Sequence, residues 1–363
     1  MRPDFPTDFN SILERINQID PVAYGKSRNY LNGAVTYLSP YVSRGVISTR
    51  QILETILSKG YKVREIESFV KELCWRDYFQ RVGQHKELDL DVRFPQLGVA
   101  NHGVPIAVLE GQTGIEAIDK AVQSLYDTGY MHNHARMYTA SVVCNVAKSY
   151  WKNPSQWMYY HLLDGDWSSN ACSWQWVAAS NSSKKYFANQ ENINKYAHTT
   201  QLNTYLDISY DKLETMEVPF ELSSIREFAA STVLPDVEPV QLKPDVPTFV
   251  YNYYNLDPLW HKDEPGNRIL LLEPSHFSAY PISPKCLDFV LRLSHNIPRL
   301  QVYVGSYQSL IEQCADAPLY FKEHPLNNGY RGIEEPRDWI APDVNGYFPS
   351  FIGFWKQVEK RLR

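Results

Sequence analysis

The sequence predicts a multi-domain α and α/β protein, a large all-α domain followed by a small C-terminal α/β domain. Three observations carry this. Residues 1–200 read as successive helices, residues 215–247 are rich in proline and acid, and strand-like apolar runs begin only at residue 248. The expected boundaries are therefore 1–214 for the helical domain, 215–247 for a linker and 248–363 for the α/β domain.

The helical elements follow in order. SRGVISTRQILETILSKG (43–60) has Ser48 as N-cap, apolar residues at helical spacing and Gly60 as a stop. SFVKELCWRDYFQRVGQH (68–85) repeats the pattern. GIEAIDKAVQSLYDTG (114–129) ends at Gly129. HNHARMYTASVVCNVAKSYW (132–151) is apolar around most of its circumference, which predicts a central helix. NPSQWMYYHLLDG (153–165) is expected to start from Asn153 as cap with Pro154 in the first turn. The segment 215–247 reads as a short helix and then extended chain. Beyond it, TFVYNYY (248–254), RILLLEP (268–274) and LQVYVGS (300–306) read as strands. The helical period of SPKCLDFVLRLSHNI (283–297) lies between the last two, which predicts a parallel β-α-β unit.

Composition narrows the function. The chain has 363 residues, 44% of them hydrophobic and 21% charged, enough to bury a core. Its five cysteines are scattered, which argues against a disulfide framework or a structural metal site, so no metal is expected. No signal pattern or membrane-length apolar run occurs, and a cytoplasmic, membrane-free protein is expected. Net charge is −5, with residues 1–200 at +2 and residues 201–363 at −7, so a phosphate backbone would meet the first part. No glycine-rich phosphate loop is present.

Four segments hold polar and aromatic residues that packing alone does not require. LSPYVSRGVIS (38–48) offers the hydroxyls of Ser39, Ser43 and Ser48 near a helix start, suited to a diphosphate. KELCWRDYF (71–79) sets Glu72, Trp75, Arg76 and Phe79 on one helical face. GYMHNHARM (129–137) places Asn133 and Arg136 three apart. LLDGDWSSNACSWQW (162–176) combines Asp164, Asp166 and Asn170 with three tryptophans. Singly, each has a packing or salt-bridge reading. His132 and His134 alternate, which is the wrong spacing for a metal pair on a helix.

In this order, LSPYVSRGVIS, ELCWRDYF, TGYMHNHARMYTAS and LLDGDWSSNACSWQW resemble signatures of the FAD-binding helical domain of the DNA photolyase/cryptochrome family, over about residues 20–200. The resemblance implies FAD as cofactor. It implies that Tyr24 and the segment Thr36, Tyr37, Leu38 and Ser39 cradle diphosphate and ribose, with Glu72, Trp75, Arg76, Phe79 and Asn133 also on the cofactor. Arg136 and Asp164 would pair against the flavin ring, Asp166 would accept its imide hydrogen, and Asn170 would lie beside N5. Trp174 and Trp151 would be successive members of an electron-transfer chain, whose third tryptophan is missing from 86–110; Tyr150 or Trp157 offers another exit. Trp75 and Trp176 would wall a flipped-out pyrimidine dimer, with Glu72, Asn133 and Met137 beside it.

These matches imply light-driven repair of cyclobutane pyrimidine dimers in UV-damaged DNA, by a lyase. The alternative is a cryptochrome-like blue-light photoreceptor without repair, acting on a protein partner. A monomer is expected. Residues 248–363 loosely resemble a shortened antenna domain placed after the helical domain, too small for a second antenna chromophore.

Overall fold

The computed structural model describes residues 3–314, 317–327 and 329–362. Along the chain come α1 (Phe9–Asn17), α2 (Pro21–Ser27), α3 (Ser39–Ser43), α4 (Thr49–Ser58) and α5 (Glu67–Gly83). A short strand β1 (Val104–Pro105) precedes α6 (Ile106–Glu110), α7 (Glu116–Thr128), α8 (Asn133–Ser141), α9 (Lys152–His161), α10 (Trp167–Val177), α11 (Gln190–Ala197) and α12 (Tyr210–Thr215). After β2 (Ile225–Arg226) come β3 (Thr248–Tyr251), β4 (Asn267–Leu272), α13 (Pro274–Ala279), α14 (Pro284–Ser294) and β5 (Leu300–Val304). The chain closes with α15 (Tyr307–Ile311), β6 (Leu319–Lys322), β7 (Ile333–Glu335) and α16 (Phe351–Leu362).

Several helices start and stop where their side chains dictate. Ser48 accepts the Gln51 amide and caps α4, while Gly60 follows with a positive φ of 93°. Gly129 takes φ 72° and ends α7. Two boundaries differ from expectation. The helix from residue 132 loosens into a π turn at Val142–Val146 and stops before Lys148 (φ 56°). Helix α9 begins at Lys152, so Asn153 is not its cap. The Asn153 amide instead exchanges two hydrogen bonds with the backbone of Phe228. Within 215–247 the expected short helix is a single 3₁₀ turn, Phe220–Leu222, followed by β2, which pairs antiparallel with β1.

Two compact units emerge, and they do not follow chain order. One comprises Met1–Asp4, Ala23–Val35 and Lys86–Ala230; the other comprises Phe5–Val22, Thr36–His85 and Ser231–Arg363. The first is helical apart from β1 and β2. Its core includes Trp151, Trp157 and Trp167, each at most 1% exposed.

The second unit holds a five-stranded parallel sheet in the order β5-β4-β3-β6-β7. Val250, Ile269, Leu271 and Phe321 pack with Tyr307, Leu310 and Cys314 on one side of it. From β3 the chain winds outward through β4 to β5, then returns to place β6 on the other side of β3. Helices α4 and α5 join this unit. The buried Asp77 on α5 accepts from the Thr49 hydroxyl at 2.8 Å and the Ile340 amide at 3.0 Å. Burial raises the Asp77 carboxyl above its usual range, against these bonds and the positive charges of Arg337 and Arg81.

Candidate functional site

The first unit gathers one group of the sequence-predicted residues on α8, α10 and the loop between α9 and α10. Arg136, halfway along α8, grips both oxygens of Asp164 through Nη2, at 2.9 and 3.0 Å. Its Nε donates to the Met131 carbonyl at 2.7 Å. The Asp164 side chain is 4% exposed and that of Arg136 22%, so the pair has one buried and one half-open member. Such a pair holds its geometry because freeing either charge is costly. Two residues on, Asp166 caps α10 by accepting the Ser169 amide at 2.9 Å. Asn170 is buried and its Nδ2 donates to the Ser155 carbonyl at 2.8 Å, which fixes the amide's orientation.

Around these groups, His132 Nε2, Ser168 Oγ and Ser169 Oγ are buried without a hydrogen-bond partner among the described residues. Buried polar atoms rarely stay unmatched, so this neighbourhood suits a ligand rich in hydrogen-bonding groups. The rest of His132 is occupied: its Nδ1 accepts the His134 amide. Burial first, and then the neighbouring His134 and Arg136, lower the His132 imidazole to about 4, so it is neutral near pH 7. His134 binds the Asn29 carbonyl, and among the described residues no cluster suits a metal ion. Asn133 opens α8 and is exposed, and Met137 is half-buried. Tyr24, half-buried on α2, belongs to the same unit.

The tryptophans divide by burial. Trp174 is 2% exposed, whereas Trp176 is 37% exposed with Tyr186 beside it. Trp151 is fully buried and its indole donates to Asp91 Oδ1 at 2.7 Å. Tyr150 lies 5.7 Å from Trp151, centroid to centroid, and donates to the same Asp91 oxygen at 3.2 Å. Burial, and then Asp91, push the Tyr150 phenol up to about 12. Trp167 lies 6.4 Å from Trp151 on another side. Sequence reasoning did not find Asp91; its one signal was its place in the acidic run ELDLD. Trp157 donates to Tyr126 instead and has a structural partner.

The second unit holds the other group. Thr36 spends its hydroxyl on the Leu38 amide at 3.4 Å, Leu38 is the buried N-cap residue of α3, and Ser39 opens that helix. Tyr37 sits at a positive φ of 54° with its ring against Phe5. Ser43 accepts from Arg76 Nη2 at 2.6 Å, and Ser48 caps α4 while donating to Asp338.

On α5, Glu72 is half-buried and Phe79 lies 5.2 Å from Trp75. Trp75 itself is covered. Phe351, the first residue of α16, stacks on it at 3.8 Å with a 9° interplanar angle. Phe354 and Phe348 extend that aromatic patch to Tyr78. Nothing in the sequence paired Phe351 with Trp75.

Comparison with known proteins finds relatives of one stretch of the chain. Residues 69–206 match the family model described as the FAD binding domain of DNA photolyase. This stretch is similar to the FAD-binding domain of the DNA photolyase/cryptochrome family. A deoxyribodipyrimidine photo-lyase of Agrobacterium fabrum is 28% identical over 206 residues, covering 49% of this chain and 41% of the relative. The mitochondrial deoxyribodipyrimidine photo-lyase of Saccharomyces cerevisiae is 32% identical over 164 residues, covering 41% of this chain and 29% of the relative. The chain thus spans less than half the length of these curated relatives. Among solved structures, a Synechocystis cryptochrome matches at 24% identity with a TM-score of 0.47, covering 54% of this chain and 44% of that one. All of the α8–α10 group falls inside the matched family domain.

Proposed function

We propose that the chain is an FAD-dependent, light-driven DNA repair lyase acting on cyclobutane pyrimidine dimers. The observation that supports this most is the Arg136–Asp164 pair beside Asp166 and Asn170, with unmatched polar atoms around it, inside an FAD-binding family domain.

In this proposal Arg136, Asp164, Asp166 and Asn170 hold the flavin ring. FAD, when bound and reduced, supplies an excited-state electron donor. The protein's part is orientation and burial. The salt bridge fixes Asp164, the helix cap fixes Asp166, and Ser155 fixes the amide of Asn170. No general base or nucleophile is required, and the neutral His132 offers no cation to the site. Thr36, Tyr37, Leu38, Ser39, Glu72, Arg76 and Phe79 enter the proposal through the resemblance. Trp176 and Asn133, both exposed, are the proposed contacts to a flipped dimer, with Met137 beside them. Trp174 and Trp151 are the proposed electron carriers, and Tyr150 with Asp91 is the exit beyond them.

One observation favours the second reading, a photoreceptor without repair. Phe351 occupies the face of Trp75 that the resemblance assigns to the dimer.

A repair assay separates the two. Protein loaded with reduced FAD is mixed with a dimer-containing oligonucleotide in blue light and in darkness. The expected result is recovery of intact pyrimidines in light alone. A protein that holds reduced flavin yet repairs nothing would leave the photoreceptor. Pigment extracted from the same preparation tests the proposal that FAD is the only chromophore.

A further inference from the structure

Three segments of the helical unit, 93–100, 145–148 and 180–186, lie side by side. The Arg93 and Phe94 amides donate to the Ser180 carbonyl at 3.1 and 3.0 Å, and the Ala100 amide donates to the Lys148 carbonyl at 2.7 Å. Asn145 joins the other two ends, its Nδ2 donating to the Tyr186 carbonyl at 2.8 Å. The first segment is also anchored at its start, where the Val92 amide donates to Gln175 Oε1 at 2.7 Å. A surface tied at this many points loses little freedom when something binds to it.

The charge of these segments is one-sided. Together they hold Arg93, Lys148, Lys184 and Lys185 and no acid, in a chain whose net charge is −5. None of the four cations forms an ion pair among the described residues. Lys185 is half-buried, and its Nζ lies 3.4 Å from where a Cβ on Gly98 would stand, so the ammonium leans over the first segment. Burial lowers this ammonium below its usual value and Lys148 adds to that, while Cys144 and Glu214 oppose it. Cations gathered without contacting carboxylates repel one another, and an anion laid among them relieves the repulsion.

Apolar side chains stand among the cations. Phe94 is 47% exposed and Leu97 74%. The Arg93 guanidinium lies 5.0 Å from the centre of the Phe94 ring. Trp176, 37% exposed, borders the third segment, where Ser182 Oγ donates to its carbonyl at 2.7 Å. Cations alone suit any polyanion. Exposed rings set between them select a polyanion that also offers flat apolar faces, which is a nucleic acid. A duplex hides the faces of its bases in the stack, whereas an unpaired strand presents them.

We propose that this surface binds single-stranded DNA, with Arg93, Lys148, Lys184 and Lys185 on phosphates and the Phe94 ring under a base. The strand needs no lesion and no light, so the inference does not rest on the repair reading.

Fluorescence anisotropy of the full, flavin-loaded chain in darkness tests it. The probes are a short labelled oligothymidine without dimers and the same strand paired with its complement. The single strand is expected to bind at least about tenfold more tightly than the duplex. Its affinity should fall with salt on a log–log slope of about −3, since each of four contacted phosphates contributes about −0.7. Phe94→Ala should weaken binding at least about fivefold, the loss of one stacked base, and leave the slope unchanged. Lys185→Gln should make the slope shallower by about 0.7. Lys184→Gln, at an exposed position, carries the charge test if Lys185→Gln does not fold. Folded protein that does not bind the single strand overturns the proposal. So does equal or tighter binding of the duplex, affinity unchanged in Phe94→Ala, or a slope unchanged in the folded lysine variants. Loss of dimer repair with oligothymidine binding intact would break the repair reading and leave this one standing.

Discussion

Helices α5 and α10 both set tryptophans close to charged residues, yet the two are finished differently. On α10 and its surroundings the charged groups are tied down. Asp164 is clamped by Arg136 and Asp166 caps the helix, while Trp176 stays exposed and three polar atoms nearby lack partners among the described residues. On α5 the aromatic face is finished from within, because Phe351 stacks on Trp75. An aromatic surface and a polar one offer a ligand different things. Polar atoms without partners favour an occupant through hydrogen bonds. An aromatic face already covered by its own chain favours an occupant only after the cover has moved.

The largest expected effect breaks the tied-down side. Asp164→Ala leaves Arg136 without its carboxylate and should cost about 3–5 kcal/mol of stability. Flavin retained after gel filtration should drop with it, and thermal unfolding separates the two losses.

The next effect depends on pH. His132 is lowered from 6.5 to about 4 in the folded protein, so between those values the unfolded chain binds more protons. Its contribution is complete above pH 6.5 and is lost as pH falls toward 4, about 3 kcal/mol in all. In urea unfolding, the wild type should lose about 3 kcal/mol relative to His132→Asn, which keeps a capping acceptor but does not titrate, as pH falls from 6.5 toward 4.

On the covered side, Phe351→Leu removes the stack but keeps an apolar residue, and should cost about 1 kcal/mol. Under the repair reading it should also strengthen binding to dimer-containing DNA, read by fluorescence anisotropy. Unchanged DNA binding would mean that the cover does not compete with the lesion. The smallest effect is expected from Ser48→Ala, about 1 kcal/mol or less for the lost cap of α4, by thermal melting.

Local signals carried much of the helical reading. Ser48, Gly60 and Gly129 each act within one turn of their own position, so α4 and α7 have the expected ends. The β-α-β unit was visible because the buried β3 and β4 and the half-buried β5 read as mostly apolar runs around a helical period. Partners far along the chain were not visible. Asn153 looks like a cap, but the Phe228 backbone takes its amide. The helix from residue 132 lacks a glycine or proline to stop it, and Asn145 instead reaches the carbonyls of Val177 and Tyr186 where it loosens. The site residues were legible as motifs. Their partners Asp91 and Phe351 were not, since an acceptor in a loop or a phenylalanine at a helix start has no pattern of its own.

The interleaving of the two units also sets an order of events during synthesis. The helical unit is built mostly from one continuous stretch, Lys86–Ala230. The other needs both ends of the chain: the Phe9 amide donates to Asn296, 287 residues away, and Asp77 accepts the Ile340 amide, 263 residues away. Helices α1, α4 and α5 therefore leave the ribosome long before the strands and the C-terminal helix that cover them. Until then α1, α4 and α5 have only one another as native partners, and a nascent chain stalled before residue 340 would present their remaining apolar surface to chaperones. The stretch from Lys86 to Ala230 would already have its own core.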